Sequence, residues 1–170
     1  MPRFRAGQRL TAGALNAVLP LTAYKTTTTA RTSTTALTAD PDLFVNLPSD
    51  GATYAIEAFL SITGPVISSA GGISVGLSYS GTQVANSGTW IGQGIGTSST
   101  SSVNFAGQSI TGAGQPYGTN GGNFGVVLLN GLISPATAGS LAVVWAQATS
   151  NATPTNVRFG SWLKLTRLDT

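Results

Sequence analysis

An all-β fold is what this sequence predicts: a single antiparallel β-sandwich of jelly-roll type, with about eight strands and an N-terminal arm containing one short helix. Three observations carry that expectation. Between Ala58 and Val157 there is no Asp, Glu, Lys, Arg, His or Cys, and the run is written in Gly, Ser, Thr, Asn, Gln and isolated apolar residues. Its clearest pieces alternate with the period of a strand, as in Ile73, Val75, Leu77 and Tyr79 against Ser74, Gly76 and Ser78. Turn-forming clusters recur at regular spacing, whereas helical periodicity is confined to one short stretch near the start.

That stretch lies within the first twenty residues. Thr11 is placed to cap a short helix, Leu15 and Leu19 share one of its faces, and Pro20 stops it. Two turns of helix are not stable alone, so the segment reads as an arm ordered against a partner surface or folded back on its own domain. The Thr-rich passage from Tyr24 to Thr35 suits an edge strand or a taut linker. The change from arm to body is expected near Thr29, giving an attachment arm over 1–29 and a sandwich domain over 30–170.

Asp40-Pro41-Asp42 carries turn chemistry, Leu43, Val45 and Leu47 alternate as a strand, and Pro48 to Gly51 is a second turn. The strongest strand follows, with Tyr54, Ile56, Ala58, Leu60 and Ile62 on one face and Ala55, Glu57, Phe59 and Ser61 on the other. Glu57, alone among apolar neighbours, is expected at a rim or paired with Arg158, Lys164 or Arg167. From Gly81 to Gly122 the apolar residues thin out, predicting short strands in long polar loops. Phe124 to Ile133 and Leu141 to Gln147 read as buried strands, joined as a hairpin through Pro135 to Gly139. A last strand is expected over Asn156 to Leu168, with Val157, Phe159, Ser161, Leu163 and Leu165 on one face.

Composition narrows the function. Charged residues make up 8% of the chain, against about 25% in an ordinary soluble domain, a surface poorly defended against association. Without His or Cys the commonest metal and nucleophile chemistry is missing, and the central run offers no acid, base or activated nucleophile. The chain is therefore read as no enzyme, with no cofactor and no metal. The net charge of +3 sits at the two ends, without the interleaved basic and aromatic surface of a nucleic-acid groove. No apolar run reaches the roughly 18 residues of a membrane span, and the opening residues lack the apolar core of a secretion signal.

Four local features remain. Asp40 and Asp42 supply the oxygen ligands calcium prefers, but an Asx turn already accounts for both. Trp90, Tyr117 and Trp145 are the candidate ligand or interface aromatics; a sugar-binding platform stands against core or subunit packing, the latter favoured for all three and most for Trp145, in an alternating strand, with Trp90 and Tyr117 in Gly-rich loops. Asn151-Ala152-Thr153 matches a glycosylation acceptor but is followed by Pro154. Gly92 to Gly96 lacks the lysine and helix of a phosphate loop.

Two passages carry a resemblance. Phe4-Arg-Ala-Gly-Gln-Arg-Leu-Thr-Ala-Gly-Ala-Leu-Asn16 resembles the opening of small virion proteins of tailed bacteriophages, found on tail fibres and head appendages. Leu37 to Tyr54, running into the strand through Ile62, is similar to the start of β domains in phages of actinobacteria. The resemblance implies a virion component that attaches by its arm and displays a β-sandwich, often as a homotrimer. Arg3, Arg5 and Arg9 then suit an acidic shell surface, with Phe4, Leu10, Leu15 and Leu19 as apolar anchors. The expected partners are further copies of the chain and, through the arm, the major capsid protein or another virion protein. The expected role is capsid decoration or head fibre; the alternative is a tail-associated receptor- or glycan-binding module.

Overall fold

The structure, a computed structural model, describes residues 7, 9, 11, 19–66, 71–98 and 103–168. Among them are twelve strands and no helix. The helix expected from Thr11 to Leu19 lies, apart from its end residues, outside the described residues. The strands are β1 (Leu21–Tyr24), β2 (Thr29–Arg31), β3 (Thr38–Leu47), β4 (Tyr54–Thr63), β5 (Ile73–Tyr79) and β6 (Thr89–Ile95). They continue with β7 (Val103–Ser109), β8 (Gln115–Tyr117), β9 (Gly125–Ile133), β10 (Gly139–Gln147), β11 (Thr155–Val157) and β12 (Trp162–Arg167).

Two antiparallel sheets form a sandwich-like body. The smaller has the order β3-β10-β5-β8; the larger runs β1-β12-β4-β9-β6-β7, with β11 beside β4 and β2 beside β11. From β3 to β10 every connection changes sheet except the β6–β7 hairpin. Alternation puts one row of each strand between the layers. Ile56, Leu60, Val127, Leu129, Leu163 and Leu165 from the larger sheet meet Leu43, Val75, Leu77, Leu141, Val143 and Trp145 from the smaller, all 1% exposed or less. Each such side chain contributes on the order of 1.5–3 kcal/mol of transfer free energy.

The expected partition of the β4 residues is the observed one, with Tyr54, Ile56, Ala58, Leu60 and Ile62 buried. Glu57 meets Lys164, directly opposite in register, at 2.7 Å. Both side chains are partly open to water, where such pairs contribute about 0–1 kcal/mol.

Three expectations are corrected. The strands on either side of Pro135 to Gly139 do not pair: β9 lies in the larger sheet and β10 in the smaller, so the segment bridges the layers. Both strands read as buried in sequence, and apolar content does not distinguish a hairpin partner from a strand on the facing layer. Asp40-Pro41-Asp42 is no turn between segments but a bulge inside β3, where residues 40–43 lie opposite Val143 alone. Proline, lacking an N–H, is tolerated in a strand at such an interruption of the ladder. The single last strand is broken into β11 and β12 at Gly160, whose φ of 84° leaves the extended region and turns Phe159 outward to 58% exposure. Leu21 to Tyr24, ahead of the Thr29 boundary, is hydrogen-bonded to β12 in the larger sheet.

Candidate functional site

Beneath the β3 bulge the chain buries its own ions. The Lys25 ammonium, 0% exposed, donates to Asp40 Oδ1 at 2.8 Å, Asp42 Oδ2 at 2.9 Å and Thr29 Oγ1 at 2.7 Å, which uses its three hydrogens. Asp40 Oδ1 also accepts from the backbone N–H of Asp42 and Leu43, and Asp40 Oδ2 accepts from Trp145 Nε1 at 2.9 Å. The bulge exists because this carboxylate caps its own backbone, as the Asx pattern anticipates. Arg31 closes the cluster: its guanidinium lies 4.0 Å from the Trp145 ring centroid and donates to the carbonyls of Thr38, Ala39 and Trp145. Burial lowers the Arg31 pKa, and the nearby Asp40 charge opposes that shift. The cation between Asp40 and Asp42 is thus a lysine, and the cluster ties residues 25–31 to β3 and β10. Sequence reading missed it because Lys25, just past the end of β1, and Asp40 on β3 are fifteen residues apart, with no local pattern linking them.

Of the residues expected to attach the chain, Arg3, Phe4, Arg5, Leu10 and Leu15 lie outside the described residues; Arg9 and Leu19 are exposed. The three candidate aromatics are all interior. Trp145 is buried at 0% beside Asp40, while Trp90 at 3% and Tyr117 at 0% belong to β6 and β8 and not to loops. Gly92 permits this, since a β-carbon there would overlap the Tyr117 hydroxyl and lie 2.8 Å from the Trp90 ring. A glycine-rich passage that reads as loop is therefore a strand thinned to admit two large rings. None of the three offers an open ring face for stacking on a sugar.

Neither the Tyr117 hydroxyl nor Trp90 Nε1 has a hydrogen-bond partner among the described residues. Burial pushes the Tyr117 pKa up to about 12 from 10.0. Because the folded-state value is raised, this contribution to stability is complete below pH 10 and is lost as pH rises toward 12. Tyr117→Phe removes an unsatisfied buried hydroxyl, so it is expected to be neutral or to stabilise by about 1 kcal/mol. It should also flatten the loss of stability above pH 10. Urea denaturation of both proteins at pH 7 and pH 11 checks this, and a clear destabilisation at pH 7 would count against it.

The distinctive surface is the outer face of the larger sheet. Phe105, Gln93, Leu128, Phe59, Trp162 and Tyr24 lie opposite one another in register across β7, β6, β9, β4, β12 and β1. Register partners share a face, so five of these six build one apolar row. Phe59 and Trp162 are stacked at 6.4 Å. Val103, Ile91, Val126 and Leu132 flank the row with exposures of 37–56%. A shallow cavity of about 370 Å³ opens beside it between Thr89, Ile91, Asn130 and Leu132. The sequence held a signal for this face in Val126-Val-Leu-Leu129, a run apolar on both sides of its strand, as in strands covered on both faces.

Each described carboxylate is engaged by a cation: Asp40 and Asp42 by Lys25, Glu57 by Lys164, and Asp50 by Arg167 at 3.3 Å. No group of three metal-ligating side chains occurs among the described residues. What this surface offers chemically is apolar contact, with the amides of Gln93 and Asn130 as hydrogen-bonding groups. Compared with protein-family models and with curated proteins, the chain matches none.

Proposed function

We propose that the chain is a non-enzymatic structural protein of a tailed-phage virion, a homotrimeric capsid decoration or head-fibre protein docked on the shell by its N-terminal arm. The observation that carries the structural role is the apolar outer face of the larger sheet, since exposed patches of that kind mark association surfaces. The virion assignment is supported by the resemblance of Phe4 to Asn16 and of Leu37 to Tyr54 to phage virion proteins. A finer reading of the fold accompanies it. The orders β3-β10-β5-β8 and β4-β9-β6-β7 support a jelly roll, with β1, β2, β11 and β12 added beyond β4.

The test is co-sedimentation with phage heads that lack the protein, using the full chain and a version beginning at Pro20, which keeps β1 and the Lys25 cluster. The full chain is expected to pellet with heads and the shortened one to stay in solution with an unchanged circular dichroism spectrum. If neither binds heads, the capsid role fails.

A tail-associated receptor- or glycan-binding module is the second reading. What favours it is Arg158, 4.0 Å from the Phe124 ring and 5.9 Å from Phe159, with rings 68% and 58% exposed. Reduced adsorption of Phe124→Ala particles to host cells at full occupancy would select this reading over the first.

A further inference from the structure

Of the two outer sheet faces, one is already covered in part by the chain itself, although Phe44 on it stays open. On the smaller sheet Ala142, Val144 and Ala146 are buried, and Gly76 lies so close to the Ala113–Gly114 backbone that a β-carbon would collide with it. Leu37 reaches Gly114 on the same side. Among the described residues the larger sheet has no such cover over its row from Phe105 to Tyr24. Six strands at about 4.8 Å and the span from Val126 to Leu132 at about 3.4 Å per residue make an area of roughly 24 by 20 Å. In projection that is of the order one subunit gives to a standard contact.

Charge selects the occupant. On the strand positions of this face the described charges are Glu57 and Lys164, which neutralise each other at 2.7 Å. Apart from Arg158 over the Phe124 ring at one end, an acidic or basic partner finds nothing to pair with, whereas a second neutral, apolar, amide-bearing surface fits. This face is itself such a surface, and interface centres are depleted in charge in the same way. We infer that the outer face of the larger sheet, centred on Leu128 and Phe59, is the contact between copies of this chain. The inference rests on the self-association reading and adds which of the two faces is used.

Sedimentation velocity of the full chain at micromolar concentration tests it, alongside Leu128→Glu, Phe105→Lys and the control Phe44→Glu. Phe44 is 45% exposed on β3 of the smaller sheet. The unaltered chain and Phe44→Glu are expected to share one oligomeric mass. Leu128→Glu and Phe105→Lys are expected to sediment as monomers with unchanged circular dichroism, their association weakened on the order of a hundred-fold. Phe105, 63% exposed on an edge strand, keeps the test usable where Leu128→Glu perturbs folding. A monomeric unaltered chain overturns self-association itself. An oligomer that survives both face variants, or that only Phe44→Glu dissociates, overturns the choice of face and leaves self-association standing.

Discussion

Asp40→Ala is expected to cost about 3–5 kcal/mol of folding stability, the penalty for leaving a buried charge without its partner. The carboxylate accepts from Lys25, from Trp145 Nε1 and from two backbone amides, so its removal orphans groups on three parts of the chain at once. Lys25 keeps Thr29 and Asp42, but the Asp42 side chain is 31% exposed while the ammonium is wholly buried. Lys25→Met should cost a comparable amount. The double variant should cost less than the two singles together, because each single change carries the cost of the other's stranded group. Urea denaturation of the three variants measures this. A loss below about 1 kcal/mol for Asp40→Ala would mean the cluster is well hydrated and contributes little.

Gly76→Val is expected to be nearly as damaging, at about 3 kcal/mol. The position is an ordinary extended one in β5, so backbone freedom is not what the glycine provides. It provides room: the Ala113 carbonyl lies over it, and backbone cannot swing aside as a side-chain tip can. The bulk should lift residues 110–114 from the smaller sheet, breaking the hydrogen bond from Gly112 N–H to the Leu77 carbonyl at 2.9 Å. A lowered melting temperature with faster amide exchange around Gly112 is the expected pair of results. Exchange unchanged at Gly112 would show that the loop stays seated.

Much of the fold was legible because alternation is a local property. The inward row of β4 and the inward Leu141, Val143 and Trp145 follow from counting residues by twos, and the Glu57 pairing with the last strand from its being a lone charge among apolar neighbours. What was hidden depends on residues far apart in the chain. Whether β10 pairs with β9 or faces it is decided by the whole set of layers, and Pro135 to Gly139 is a suitable turn in either case. Trp90 and Tyr117 were misplaced for a related reason. Glycine on a loop and glycine under an aromatic ring look the same in sequence. The outer face was half-legible: Phe59 was already on the side opposite Ile56, but only strand order puts it next to Leu128 and Trp162.

The pairing of β1 with β12 also bears on the order in which the protein is made. Leu21 has its register partner at Leu165, and Lys25 is enclosed by the Ser161 carbonyl on one side and the β3–β10 cluster on the other. During synthesis the first strand therefore waits for almost the whole body before it has an edge to join. Such long loop closures are slow, on the order of milliseconds to seconds for folds dominated by distant pairings. β1 is thus fixed last, only after the sandwich behind it has closed.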